Sequence, residues 1–343
     1  MRSTEAEMEY SFAPMEGVTS RTFRELHARY FPGVDRYCLP FLSPTREHIL
    51  TDRQRRELDP GTLGCGRLVP QILTAEAEDF LWAAGEMAGL GYREVDLNLG
   101  CPSGTVVSKG KGAGMLRDLD RLRRFLDAIY AAAPIAVSVK TRLGLERAEE
   151  FGPILKLLAD YPVSQLTIHP RTRREMYTGT VHLAAFAEAA RVWKGPLVYN
   201  GNLFTAASAA SVKTAFPGLH GLMLGRGMLA DPALVTRIRG GERSREALIG
   251  FHEELCAAYL ETMHPNQAVL PKLKEIWMYL ALLFDDAGLW SRLRRTKRWE
   301  DFHPLALAAL QTLPLRREAD LSPVNQSPVE AAGIRQQSSD TGQ

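Results

Sequence analysis

A recurrence constrains this chain more than any single motif: eight short apolar, β-branched runs with helix-like segments between them. They lie at 10–14 (YSFAP), 36–41 (RYCLPF), 67–73 (RLVPQIL), 93–99 (REVDLNL), 135–140 (IAVSVK), 165–170 (QLTIHP), 196–201 (PLVYNG) and 221–226 (GLMLGR). Strands alternating with amphipathic helices imply right-handed βαβ units and a parallel sheet. Eight such units predict a closed (β/α)8 TIM barrel. The structural rival, a doubly wound open sheet, usually has a G-x-G-x-x-G turn after its first strand. The chain has APMEGVTS at 13–20 instead.

The alternation stops near residue 242. Within 244–263, Leu248, Phe251, Leu255 and Tyr259 fall at helical spacing. Within 271–284, Leu273, Ile276, Trp277, Leu280 and Phe284 do the same, with Pro271 suited to a first turn. Further helices are expected over 287–299 and 302–312. The predicted organisation is therefore a barrel domain over 1–242 and a small C-terminal helical bundle over 243–316. Pro, Gln, Ser and Asp dominate from about 317 onward, so 317–343 is expected to be a disordered tail.

Composition narrows the function classes. With 343 residues and 45% hydrophobic content, the chain can bury a large core without disulfides. Its four cysteines (Cys38, Cys65, Cys101 and Cys256) are widely spaced and form no C-x-x-C pair. That argues against a zinc knuckle, an iron–sulfur site or a secreted disulfide scaffold, so no metal and a reducing, cytoplasmic setting are expected. The first residues, MRSTEAEMEY, contain no apolar signal core, and no run is long enough to span a bilayer; no membrane association is expected. A net charge of +2 neither demands nor excludes a nucleic-acid partner, so any basic surface must be local. Monomer is the default expectation.

In a TIM barrel, chemistry sits where strands end and βα loops begin. The expected strand ends carry Pro14-Met15-Glu16-Gly17, Gln71, Asn98 with Gly100-Cys101-Pro102, Lys140 with Arg142, and His169 with Arg171. The last two carry Asn200-Gly201-Asn202 and Gly225-Arg226-Gly227. Packing alone would more often place small apolar or turn residues there. YNGN (199–202) and LGRG (224–227) end the last two strands, where barrels often bind phosphate through loop N–H groups. Glycine lets the backbone approach an anion closely and Arg226 adds charge; the bland reading is two tight turns. Lys140 could serve as a Schiff-base nucleophile, a phosphate anchor or an electrostatic partner for a cofactor ring. His169 lacks the carboxylate–histidine cluster of a metal site.

The densest signal is DLNLGCPSGTVVSKGKGAGML at 96–116. Cys101 leaves a strand there and enters a glycine-bearing loop made basic by Lys109 and Lys111. It is not a Walker A loop. A strand-end cysteine is most often a buried small hydrophobe; Pro102 and the glycines argue for an exposed, adjustable position.

Taken together, APMEGVT (13–19), NLGCPS…GKGAGML (98–116), SVKTRLG (138–144), IHPRTR (168–173), YNGN and LGRG resemble the tRNA-dihydrouridine synthase family. The resemblance covers about 10–240 well and 244–315 loosely. It implies FMN held by Pro14, Met15, Glu16, Gln71, Lys140, His169, Asn200, Gly201, Asn202, Gly225 and Arg226. It implies Cys101 as general acid, Asn98 and Arg142 near the uracil, tRNA as partner, and NADPH or NADH as reductant. Arg171 and Lys109 are added as expected substrate contacts. A basic run, Arg292, Arg294, Arg295, Lys297 and Arg298 with Lys272 and Lys274, reads equally as a tRNA-backbone face or as a solvated helix surface. Two rivals stay open here: an FMN barrel reductase acting on a free pyrimidine, and a non-catalytic tRNA-binding protein.

Overall fold

The computed structural model describes residues 7–61 and 66–319. Cys65 and residues 320–343, most of the expected tail, lie outside this set. Nine parallel strands are formed: β1 (Glu9–Phe12), β2 (Arg36–Cys38), β3 (Arg67–Val69), β4 (Gln71–Ile72), β5 (Glu94–Leu99), β6 (Ala136–Arg142), β7 (Leu166–His169), β8 (Leu197–Tyr199) and β9 (Gly221–Leu224). Their order is β3-β2-β1-β9-β8-β7-β6-β5-β4. The extra strand is the expected third run divided in two, because Pro70 has no N–H to place in the ladder. The two ends of the order are thus halves of one stave, and the sheet curls into a (β/α)8 TIM barrel. Leu42 bridges to Ile72 in parallel and tightens that seam.

Side chains alternate across each strand with period two. On β5, Val95, Leu97 and Leu99 join the large core beneath the surrounding helices. Glu94, Asp96 and Asn98 take the other face, which lines the barrel interior. The helices supply the matching stripe: Leu119–Ala132 opens on Asp118, whose side chain accepts from Arg121 N, and buries Leu122, Phe125, Leu126 and Ile129. The interior holds one thin apolar layer, Ala13, Cys38, Val198 and Met223. Below it is a buried polar cluster. Arg36 donates to Glu94 at 2.9 Å and to Ser138 at 2.9 Å, and Ser138 donates to Asp96 at 2.9 Å.

The C-terminal helices are Arg245–Leu260, Leu270–Leu280, Leu289–Arg295 and Trp299–Thr312. Pro271 stands in the first turn of its helix, as expected, but a π-helical turn, Pro265–Val269, runs directly into that helix. Phe251 is only 2% exposed and meets Phe23 and Phe31 edge-on, each at 5.4 Å. Helix Leu270–Leu280 packs against Arg226–Ala230, the short helix after β9. The helical region therefore shares the barrel's hydrophobic core. At the start of the expected tail, Glu318 pairs with Arg237 at 3.1 Å and Ala319 is buried.

Candidate active site

The C-terminal ends of the strands surround a cavity of about 330 Å³, inside the usual range of small-molecule sites. Its lining includes Pro14, Met15, Glu16, Gln71, Asn98, Cys101, Lys140, Arg142, His169, Asn200, Gly201, Asn202, Gly225 and Arg226. A larger cavity of about 760 Å³ lies at the opposite end, among strand N-termini such as Arg67, Glu94 and Ala136. It holds none of the strand-end residues, so its size does not make it the candidate site.

Cys101 is half-buried, carries a free thiol and stands at the rim. Its loop is braced from several sides. Asn98 Oδ1 accepts from Gly100 N at 3.0 Å and Cys101 N at 2.8 Å. Asn98 Nδ2 donates to Gln71 Oε1 at 2.6 Å, and Gln71 Nε2 donates to Asp96 at 2.6 Å. Arg142 Nε donates to Gly100 O at 2.8 Å. Ala113 N donates to Cys101 O at 3.1 Å, folding the glycine segment back onto the cysteine. Gly112 has φ +58°, and a Cβ there would meet Cys101 Cβ at 2.9 Å, so only glycine fits.

Positive charge dominates the cavity. Lys140 is half-buried on β6, and burial, with Arg142 beside it, pushes its ammonium down to about 8. Burial and the neighbouring cations Arg142, Lys140, Arg171 and Arg226 hold His169 well below its ordinary value, so it is neutral. Arg171 lies 3.2 Å from His169 Nε2 and can only donate, which leaves the imidazole proton on Nδ1. Arg226 donates to Asn202 Oδ1 at 3.2 Å and stacks over Tyr177 and Phe204. Glu16 is the one carboxylate in the lining, and partial burial raises it from its ordinary value. Asn202 adopts φ +46°, and a Cβ on Gly227 would lie 2.0 Å from Leu203 O. The two final loops are therefore folded tightly against each other.

Two expected contacts fall elsewhere. Arg171 is fully buried behind the lining residues His169 and Asn202 and is not itself part of the cavity wall. Its guanidinium donates to Thr178 O at 3.0 Å, Gly179 O at 2.5 Å and Asn202 Oδ1 at 3.1 Å, holding the next loop in place. Lys109 is exposed and outside the lining. Arg142 does reach the cavity, but it also donates to Thr172 O at 3.1 Å and Met176 O at 2.7 Å, as a brace would. Lys272 and Lys274 are turned inward, donating to Gly17 O at 2.8 Å and Arg294 O at 3.0 Å. Arg292 pairs with Asp286, and Arg298 with Asp301 at 3.3 Å. Sequence reasoning missed Phe41, Tyr177, Phe204 and Tyr279 in the lining. Tyr279 comes from helix Leu270–Leu280, so the C-terminal helices complete the site.

Fold and site together describe a TIM barrel with a cation-rich cavity at the C-terminal ends of its strands. A family model described as "Dihydrouridine synthase (Dus)" matches residues 11–303, and the chain belongs to the dihydrouridine synthase family. It is 32% identical to tRNA-dihydrouridine(16) synthase of Cupriavidus necator, over 79% of this chain and 86% of that protein. It is 28% identical to tRNA-dihydrouridine synthase B of Xanthomonas campestris pv. campestris, over 74% of this chain and 76% of that one. With probable tRNA-dihydrouridine synthase 1 of Synechocystis sp. the identity is 30%, and the match spans 66% of this chain and 63% of the relative. Among solved structures, a morphinone reductase superposes with TM-score 0.51 at 15% identity, covering 68% of this chain and 86% of that chain. That likeness concerns the fold. No helix among the described residues is long and apolar enough to cross a membrane.

Proposed function

We propose that this chain is a tRNA-dihydrouridine synthase that uses FMN and reduces the C5=C6 bond of uridines in tRNA. The observation that carries the reading is one juxtaposition. A braced, half-exposed Cys101 shares the rim of a cationic cavity with Asn98, Lys140 and Arg142. The donor set fits FMN: Lys140 suits the N1–C2=O edge of a reduced flavin, and Gln71 and the neutral His169 can hydrogen-bond the ring system. Arg226, with the loops at Asn200–Asn202 and Gly225, suits the phosphate. Pro14, Met15 and Glu16 wall the near side. Held by these residues, FMN reduced by NADPH or NADH would supply the hydride equivalent that C6 of the uracil needs.

The remaining work belongs to the chain's own residues. Cys101 gives the proton to C5, a general-acid role that needs a thiol rather than a thiolate. Asn98 and Gln71 fix the backbone that carries it, and Arg142 holds the Gly100 carbonyl. Arg171 acts as a positioning residue through His169 and Asn202. Drawing the base out of the folded tRNA costs a few kcal/mol, offset by phosphate contacts elsewhere. Those contacts are assigned to Arg294, Arg295 and Lys297 in the helical region, exposed cations with no acidic partner among the described residues.

Cys101→Ala tests the reading. The variant should fold and keep its yellow cofactor while losing about 10²–10⁴-fold in dihydrouridine formation, the range of general acid catalysis. The readout is mass-spectrometric mapping of tRNA. Full turnover by the variant removes Cys101 from the reaction, and reduction of free uridine without tRNA points to a small-molecule reductase.

A further inference from the structure

A second chemical cluster lies in the helical region. His252 and Cys256 are four residues apart on helix Arg245–Leu260 and therefore share a face. His303, on helix Trp299–Thr312, packs against them. One ligand atom from each of the three lies within 4.8 Å of the others. Both ring nitrogens of His252 approach Cys256 Sγ, at 3.6 and 3.8 Å, and neither has an oxygen or nitrogen partner among the described residues. The imidazoles of His252 and His303 stack at 5.9 Å with a 17° tilt. His252 and Cys256 are buried while His303 is half-buried, so His303 is the member of the cluster nearest solvent.

We propose that His252, Cys256 and His303 form a binding site for a borderline-soft divalent cation, zinc in the first instance. Ligands about 2.0–2.3 Å from Zn²⁺ sit roughly 3.3–3.8 Å apart in a tetrahedral shell, so the three donor atoms must draw together and the two stacked imidazoles must rotate to aim at one ion. One thiolate and two imidazoles are the donor types this ion prefers, and water takes the fourth position. Both histidines enter as neutral ligands. The Cys256 thiol gives its proton to solvent as the sulfur–metal bond forms, so each bound M²⁺ releases one H⁺ and leaves a site of net charge +1. Trp277 stands edge-on to His252 at 5.5 Å and Trp299 stacks on His303 at 4.7 Å, giving the site an apolar wall. The bound ion would tie helix Arg245–Leu260 to helix Trp299–Thr312, the helix that follows Arg294, Arg295 and Lys297 in sequence. The widely spaced cysteines hid this arrangement, because two of its three ligands are histidines and one comes from another helix.

The test uses the untagged full chain. Zn²⁺ is added, excess is removed by desalting, and the metal is counted by elemental analysis. Co²⁺ is then used as a probe for the thiolate-to-metal charge-transfer band. The expected result is one ion per chain, a sulfur-ligated tetrahedral cobalt spectrum, and a thermal midpoint raised by Zn²⁺. Cys256→Ala should abolish the charge-transfer band, and His303→Ala, at a half-exposed position, should weaken Zn²⁺ binding at least tenfold in chelator competition. Failure of the parent chain to retain Zn²⁺, or retention unchanged in both variants, overturns the proposal. Neither outcome bears on dihydrouridine formation, which is assayed separately.

Discussion

At the residue scale, Lys140 is the most tunable group in the site. Burial lowers it, so its charge is present below about pH 8 and is lost as pH rises through that value. If this cation holds the flavin, FMN affinity of the stripped protein should fall above pH 8, and Lys140→Met should weaken binding and flatten the pH dependence. Fluorescence titration of FMN reads both, and an unchanged profile in Lys140→Met would detach the lysine from the cofactor. Folding stability has the opposite trend. Between about 8 and 10.5 the unfolded chain holds a proton on this lysine that the folded chain does not, so its contribution to stability rises with pH there. Strand-end residues such as Lys140 and His169 were legible because position along a strand locates a side chain at the barrel mouth. Arg171 lies behind the cavity lining rather than in it, because sequence gives the strand-end location but not the direction of the side chain. Beyond the end of β7 the chain turns, and its guanidinium satisfies the carbonyls of the following loop.

At the element scale, the loop after β5 depends on glycine geometry. Gly112→Ala would impose a left-handed conformation costing about 1–2 kcal/mol and press a methyl group into Cys101. We expect a modest drop in thermal midpoint and a disproportionate loss of dihydrouridine formation. Comparing unfolding with turnover separates the two, and loss of stability alone would argue against loop placement as the cause. The helices carry a second prediction: Phe251→Ala should cost about 3–5 kcal/mol in chemical denaturation, because its ring fills the seam against Phe23 and Phe31. The eight staves were readable from short apolar, β-branched runs alternating with helical segments, and the C-terminal helices from helical spacing. The break at Pro70 and the π-helical turn at Pro265–Val269 were not, because each is a local backbone solution inside an unbroken pattern. Tyr177 and Tyr279 escaped notice for another reason. Tertiary packing brings them to the cavity, from a loop without a motif and from a helix that periodicity reads as core.

At the scale of the whole molecule, the proposed function has tRNA meet the barrel mouth and the helical region together. Removing the charges of Arg294, Arg295 and Lys297 should lower tRNA affinity at low salt and make the log–log salt dependence shallower by about 2. Filter binding across a KCl series reads the slope, and an unaltered slope moves the nucleic-acid face elsewhere. Within the barrel, a chain of polar contacts runs from the Arg36 cluster up to Cys101. The amide relay there has a sense. The N–H groups of Gly100 and Cys101 can only donate, so Asn98 must turn its oxygen to them and its nitrogen to Gln71. Gln71 in turn must present oxygen to Asn98 and nitrogen to Asp96. Every link runs one way toward a terminal acceptor, and no member can flip without stranding its neighbours. An isosteric Asn98→Asp would set two acceptors face to face, and should therefore disturb the cysteine more than the smaller Asn98→Ser.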